Sequence, residues 1–110
     1  MYKVNILDVA MDDIVELIDY VRHRWSEDIA ERAYDALMSK LNLLETQPHI
    51  GKIPDQLSVL GISTFRVLVH EAHTKILYEL DDENEMIIIH MVFGSSQDFQ
   101  TLLYKRIMRC

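Results

Sequence analysis

The chain has 110 residues, of which 49% are hydrophobic, and only 3 Gly and 2 Pro. This length and composition predict a single domain, residues 1–110, with enough apolar material for a core. The longest apolar runs are strand-sized, below the roughly 18 to 20 residues of a membrane-spanning helix, and no basic-then-apolar leader opens the sequence. We therefore expect a soluble, cytoplasmic protein without a membrane partner.

The formal net charge of −7 argues against a general affinity for nucleic acid, because such binding depends on Lys and Arg that neutralise phosphates. The only cysteine is Cys110, so one chain can form neither a disulfide nor a CxxC metal pair. Three basic residues follow Asp98 with no acidic residue after it: Lys105, Arg106 and Arg109. This basic end predicts either a partner-docking site or a solvated helix face.

The first elements follow from periodicity. Residues 2–7 alternate apolar and polar side chains, which predicts a half-buried strand, and residues 9–24 show helical spacing with Asp8 as the N-cap. Trp25 continues the apolar stripe of this helix, so we expect it in the core. Ser26 is the predicted N-cap of a second helix. The stripes of the two helices are Ile14, Leu17, Ile18 and Val21, then Ala30, Ala33, Leu37, Leu41 and Leu44.

The second half of the chain predicts a sheet. Residues 46–61 contain the prolines and glycines of a loop. Residues 65–70 and 75–80 alternate, and residues 85–93 are almost all apolar, which indicates a strand buried on both faces. Residues 97–109 fit a last helix. The predicted order is β-α-α-β-β-β-α, an α+β fold with a helical hairpin packed on a small antiparallel sheet.

Two cations stand out in the predicted sheet. Arg66 and Lys75 lie on neighbouring strands, out of phase with the apolar residues beside them, so we expect them to share the exposed face. They are either a phosphate-binding pair or two solvated charges. His70 is predicted to share that face with Arg66, which makes it a candidate general base.

Other titratable residues predict structural roles. His90 lies in an apolar strand and is expected to be a sheet histidine with a hydrogen-bond partner. The chain has neither HxH nor HExxH spacing, so no metal site is predicted. The pair Asp12-Asp13 lies on a helix exterior and Asp81-Asp82 lies in a hairpin turn, and both pairs are expected to face solvent.

Specific residues give the chain a family resemblance. Helix residues Asp13-Ile14 and Ile18-Asp19-Tyr20-Val21 precede Leu43-Leu44-Glu45, and Pro48, Gly51 and Pro54 follow. In the sheet, Phe65-Arg66-Val67 leads to Lys75-Ile76-Leu77-Tyr78, and Gly94 closes the last strand. In this order and spacing the chain resembles the RelE/ParE toxin superfamily over nearly its whole length.

The resemblance implies a bacterial type II toxin that inhibits growth, serves in plasmid stabilisation and is neutralised by a cognate antitoxin. Its target would be DNA gyrase, as in ParE-type toxins, or ribosome-bound messenger RNA, as in RelE-type toxins. An RNA-cleaving toxin of this class needs no metal or cofactor. Arg66 and Lys75 stand at positions where RelE-type toxins have a substrate-binding lysine and a key arginine, and Tyr104 lies two residues after the position of their C-terminal tyrosine. With the histidine on the predicted face, the candidate catalytic residues are Arg66, Lys75, His70 and Tyr104. Whether the protein forms a homodimer is left open.

A second hypothesis is a non-enzymatic protein-interaction module with a degenerate toxin fold. Leu68 stands where the superfamily has a second basic residue, and Ser95 and Ser96 follow Gly94 where Lys or Arg is usual. Together with the net charge of −7, these replacements favour a protein that binds without cleaving.

Overall fold

The computed structural model describes residues 1–71, 74–94, 101 and 104–106. The predicted order of the four strands and the first two helices is confirmed, and Asp55–Ser58, predicted as part of a loop, forms an additional short helix. Most of the predicted last helix lies outside the described residues, but Thr101 and residues 104–106 are helical. The elements are β1 Lys3–Ile6, α1 Asp8–Arg24, α2 Glu27–Leu43, α3 Asp55–Ser58, β2 Phe65–His70, β3 Thr74–Asp81 and β4 Met86–Gly94.

The four strands form one sheet in the order β1-β4-β3-β2. Strands β2, β3 and β4 are antiparallel, as predicted. Strand β1 differs from the prediction, because it runs parallel to β4 with Lys3 opposite Met86. No tight turn joins β1 to β4, so nothing in the local sequence fixed their relative direction.

A two-residue linker joins α1 and α2 into a hairpin. The hydroxyl of Ser26 accepts a hydrogen bond from the Ile29 N–H at 3.2 Å, which confirms its predicted capping role. The prediction for Asp8 is wrong: Leu7 is the N-cap without a side-chain bond, and Asp8 is the first helical residue. There the carboxylate still interacts favourably with the positive end of the helix dipole.

Both helices pack on one face of the sheet, which we call the helix side. The predicted stripes are confirmed at their centres, since Ile14 is 0% exposed and Leu37 and Leu41 are 1% exposed. The core contains residues from both helices and from all three strands of the antiparallel meander: Ala10, Ile14, Ile18, Ala30, Leu37, Leu41, Leu44, Leu68, Ile76, Tyr78, Leu80, Ile87, Ile89 and Val92.

The opposite face, which we call the far side, carries a smaller apolar cluster. Leu77, Met91 and Phe93 are buried there against Leu57 of α3. Strand β4 therefore contributes buried residues to both faces, as its continuous apolar sequence predicted. Each face then needs a cover, and among the described residues the long helices α1 and α2 cover the helix side.

Trp25 was predicted to lie in the core, and this prediction is wrong. Helix α1 ends at Arg24, and Trp25 leaves the helical path with φ −123° and ψ −87°. Its side chain is 56% exposed and makes an edge-to-face contact with Tyr20. The helical spacing that placed Trp25 on the apolar stripe therefore does not extend to this residue.

Candidate functional site

The strand register decides which predicted site residues can meet. Residues opposite each other in adjacent strands project to the same face. Arg66 lies opposite Tyr78, a core residue of the helix side, whereas Lys75 lies opposite Val69 and Phe93 on the far side. The prediction that Arg66 and Lys75 share one exposed face is therefore wrong. Both faces of β2 carry apolar residues, so alternation alone identified the wrong face as the core.

Arg66 anchors a loop from the helix side. Its Nη1 donates to the carbonyl oxygens of Gly51 at 2.8 Å and His49 at 3.2 Å. Its Nε is buried and, among the described residues, has no hydrogen-bond partner. A guanidinium engaged with two backbone carbonyls is poorly placed to bind a substrate phosphate at the same time.

Tyr78 anchors the same loop. Its hydroxyl donates to the Pro48 carbonyl at 2.8 Å and accepts from the Gly51 N–H at 2.9 Å. A Cβ on Gly51 would lie 2.7 Å from the Tyr78 Oη, so this close approach requires glycine. Burial raises the pKa of Tyr78, which keeps the hydroxyl protonated and able to donate.

Of the other two catalytic candidates, His70 lies on the face opposite to that of Lys75. His70 lies opposite Thr74 and projects to the helix side, where burial lowers its pKa. The charge of Glu71 opposes this effect, and the charge of Lys40 adds a smaller lowering. Tyr104 lies in the helical segment near the C-terminus and is 66% exposed. Arg66 and His70 are thus on one face, and Lys75 is on the other.

The far side instead brings Lys75 together with Lys52, which the sequence reasoning missed. Both lysines line a groove of about 290 Å³. The remaining lining residues are Ile53, Pro54, Asp55, Gln56, Val67, Val69 and Phe93. Lys52 reaches this place because its backbone pairs with Val67, with N–O distances of 2.9 and 2.8 Å. The two-residue bridge carries no sequence signal of its own.

The same groove lies beside the outer edge of the sheet. Strand β2 is an edge strand, and the N–H and C=O of Val67 point outward to Lys52. Because the direction alternates along an antiparallel strand, Val69 also presents its backbone groups outward, and its side chain is 55% exposed. A cationic groove and an edge residue that can pair with another strand are therefore adjacent.

Asp13 corrects one prediction at the opposite end of the sheet. Its carboxylate accepts from the Val92 N–H at 3.1 Å and from the Arg106 Nη2 at 3.0 and 3.2 Å, and the Arg106 Nη1 donates to the His90 carbonyl. Asp13, which was expected to face solvent, is thus engaged in the fold. Arg106 of the basic C-terminal segment pairs with this carboxylate. Together Asp13 and Arg106 cover the β4 edge beyond Ile89, where pairing with β1 ends.

A second polar cluster connects β1 to the β3–β4 turn. The Tyr2 hydroxyl donates to Asp82 at 2.6 Å, and the His49 Nε2 lies 3.2 Å from the same carboxylate oxygen. The hydrogen bond from Tyr2 lowers the pKa of Asp82, and the same bond raises the pKa of Tyr2 to about 12. Asp82 is exposed, as predicted for a turn residue, and Asp81 accepts from the Asn84 N–H within that turn. The cluster ties chain segments together.

His90 confirms its predicted structural role. It is the extra residue of a bulge in β4, since Leu77 pairs with Met91 and Tyr78 with Ile89. Its Nε2 lies 2.9 Å from the Glu79 carboxylate, and its ring lies 5.1 Å from that of Phe65. Within the described ranges, no group of three or more His, Cys, Asp or Glu residues could hold a metal ion. None of the described helices is long and apolar enough to span a membrane.

Comparisons with known proteins address the family directly. The family model described as "ParE toxin of type II toxin-antitoxin system, parDE" matches residues 4–99. Among curated proteins, none matches the chain.

Solved structures share the fold at low sequence identity. One from the chromosomal ParDE toxin–antitoxin system of P. aeruginosa has a TM-score of 0.69 at 13% identity, covering 86% of this chain and 96% of that one. The isolated E. coli RelE toxin gives 0.57 at 15% identity, covering 97% and 99%. A chain of the RelBE2 toxin–antitoxin complex from Mycobacterium tuberculosis gives 0.53 at 19% identity, covering 84% and 96%.

The family model spans nearly the whole described fold, from β1 past the end of β4. The arrangement of two helices on a four-stranded sheet agrees with the RelE-like and ParE-like structures. The chain therefore belongs to the ParE toxin family of type II toxin–antitoxin systems.

Proposed function

We propose that residues 1–110 act as a single toxin domain that inhibits growth by binding DNA gyrase, without cutting messenger RNA, and that a cognate antitoxin neutralises it. The observation that carries this proposal is the separation of the candidate catalytic residues. Arg66 and His70 project to the helix side of the sheet and Lys75 to the far side. A toxin that acts by binding needs no such residues to converge.

Cleavage of RNA by attack of a 2′-hydroxyl requires cations and proton-transfer groups around one phosphate. The Arg66 Nη1 donates to the carbonyls of residues 49 and 51, and Leu68 stands where a second cation is expected. Lys75 has Lys52 as its cationic neighbour in the far-side groove, and the described residues that line this groove include no histidine or tyrosine. These contacts favour a binding role, and membership of the ParE family favours gyrase as the target.

The far-side groove suits an acidic and apolar antitoxin segment. Lys52 and Lys75 would pair with its carboxylates, while Val67, Val69 and Phe93 would contact its apolar side chains. An extended segment could also pair with the backbone of Val69 at the sheet edge. Two of the similar structures are toxin–antitoxin complexes, RelBE2 from Mycobacterium tuberculosis and RelBE from E. coli.

Two assays on the purified protein test the mode of action. We expect inhibition of gyrase supercoiling and no cleavage of messenger RNA on translating ribosomes. Ribosome-dependent cleavage that is lost in Lys75→Ala, with gyrase unaffected, would overturn the proposal. Induced expression with and without the adjacent reading frame tests toxicity and its neutralisation. Absence of any growth effect would favour the interaction module with a degenerate fold, which the missing cation at Leu68 also supports.

The antitoxin site is tested by reversing charge in the groove. Lys52→Glu with Lys75→Glu should weaken antitoxin binding by about tenfold or more at low salt, because both changes place like charges against its carboxylates. Lys3→Glu with Arg32→Glu is the matched control, since both residues are exposed and lie outside the groove, Lys3 on the edge strand at the other end of the sheet and Arg32 on α2. Equal weakening by the groove variant and this control would indicate charge attraction without a defined site.

A further inference from the structure

A second groove lies between α1 and α2 and takes no part in the proposed antitoxin site. Its volume is about 530 Å³. Its floor is apolar, because Ile14 and Ala30 are 0% exposed and Ile18 is 7% exposed. Val15 and Tyr34 form accessible walls, at 53% and 41% exposure. An apolar floor with apolar walls can receive the side chains of an amphipathic segment.

The rim of this groove is acidic. Asp19, Glu31 and Asp35 line it together with one cation, Arg22. Arg22 is already paired with Asp19 and with Glu27 outside the groove. Within the part of the chain that the structure describes, Glu31 and Asp35 have no ion-pair partner. The hairpin as a whole has nine acidic residues against four Lys and Arg, a formal charge of −5.

We propose that this inter-helix groove is a docking site for a basic amphipathic helix of a partner protein. The apolar face of that helix would cover Val15, Tyr34 and the floor of the groove. Its Lys and Arg side chains would pair with Glu31 and Asp35. Docking of a helix through residues spaced three and four apart is a common way for a groove of this kind to be filled. The charged rim would also accelerate encounter at low ionic strength.

The charge of the rim argues against the other occupants. An acidic segment of the kind that suits Lys52 and Lys75 would meet like charges here. Nucleic acid would be repelled for the same reason. A second copy of the chain placed symmetrically would bring two hairpins of charge −5 together, which is unfavourable.

The test uses the full chain and a defined probe. The probe is a fluorescein-labelled peptide of about 14 residues, roughly four helical turns, with Leu on one face and Lys on the other. A matched peptide carries Glu in place of every Lys. We expect the Lys peptide to bind at least about tenfold more tightly by fluorescence anisotropy, with an affinity that falls as salt rises.

Variants at exposed positions locate the binding site without disturbing the core. Glu31→Gln with Asp35→Asn should weaken the Lys peptide by about fivefold or more. Asp12→Asn with Glu16→Gln removes the same charge from exposed positions of α1 outside the groove and should change affinity less than about twofold. Val15→Ser should also weaken binding, whereas Val59→Ser, at a position 85% exposed in the loop before β2, should not.

Three results would overturn the proposal: equal affinity for both peptides, equal weakening by the groove and control variants, or a dimer in sedimentation that Val15→Ser dissociates. The last result would assign the groove to a second copy. Methyl shifts at Val15 and Ala30 on adding the Lys peptide, with none at Leu60, would directly support docking of a basic helix in the groove. The test is independent of gyrase inhibition and of antitoxin binding, so its failure leaves the proposed function untouched.

Discussion

The two faces of the sheet differ in what their residues are used for. On the helix side, two 17-residue helices cover a continuous core, and the one arginine of β2 is engaged in anchoring a loop. On the far side, a cluster of four buried residues adjoins a groove with two lysines. The difference teaches that the strand register decides whether a strand cation is engaged within the fold, as Arg66 is, or lines an open groove, as Lys75 does.

The largest contrast is expected when a charge is placed in the helix-side core. Leu41 is 1% exposed, so Leu41→Asp would bury a carboxylate without a partner and should lower the free energy of unfolding by several kcal/mol, on the order of 3 to 5. Urea denaturation followed by circular dichroism measures the loss. The matched variant Leu60→Asp, at a position 71% exposed, should change stability by about 0.5 kcal/mol or less. Similar losses for both variants would mean that the hairpin stripe is not the main core.

A smaller loss is expected when the loop anchor is removed. Tyr78→Phe deletes the hydroxyl that bonds the Pro48 carbonyl and the Gly51 N–H, and should cost about 1 to 3 kcal/mol because both groups lose their partner in a partly buried place. Thermal unfolding gives the difference. Tyr104→Phe serves as the control, since Tyr104 is 66% exposed. An unchanged melting temperature for Tyr78→Phe would show that water replaces the hydroxyl without cost.

Part of this architecture could be predicted from the sequence. Helical spacing and alternation predicted the order and approximate bounds of the four strands and the two long helices, because those patterns follow from local geometry. The helix Asp55–Ser58 was missed, since four residues are too few to show a helical period. The predicted core face of β2 was wrong because Phe65, Val67 and Val69 alternate as clearly as in any core strand. In the structure Phe65 and Val67 pack on the smaller far-side cluster, and Val69 is 55% exposed. Leu68 was the only residue that indicated the true core face, and its single apolar side chain was outweighed by three.

Contacts between distant residues were beyond sequence reasoning for a different reason. The ion pair of Asp13 and Arg106 joins residues 93 positions apart, and the bridge of Lys52 and Val67 joins a loop to a strand. No period or spacing marks such a pair, since it depends on where the sheet edge ends. Trp25 was wrongly assigned to the core because the helical period was extended one residue past the end of α1.

The third contrast compares a partly buried ion pair with an exposed one. The side chains of Asp13 and Arg106 are 21% and 23% exposed, whereas those of Asp19 and Arg22 are 54% and 39% exposed. Asp13→Asn should lower the free energy of unfolding by about 1 to 3 kcal/mol, because it removes a partly buried carboxylate charge that faces the Arg106 guanidinium. Asp19→Asn should cost about 1 kcal/mol or less. Chemical denaturation at two salt concentrations separates the cases, and equal losses would contradict the assignment of Asp13 as the anchor of the β4 edge.

The smallest change in stability is expected from the titration of His70. The direction of this change follows from the burial of His70 on the helix side. Burial lowers the pKa of His70 below the usual 6.5, so the folded state takes up a proton less readily than the unfolded state. Stability should therefore fall as pH drops from about 6.5 towards the pKa of the folded state, and should be unaffected by this group above that window. His70→Gln should flatten that part of the profile. An NMR titration in which His70 has a pKa of 6.5 or higher would contradict the assignment.

The same variant bears on function, because His70 was the best candidate for a general base. A base must lie within hydrogen-bond reach of the proton that it removes and near the cation that stabilises the phosphate. His70 and Lys75 project to opposite faces, so His70→Gln should leave growth inhibition unchanged while it alters the pH profile of stability. If growth inhibition were lost with the fold intact, His70 would have to meet its substrate on the helix side. The functional surface would then lie beside Arg66 and the loop at residues 48–51.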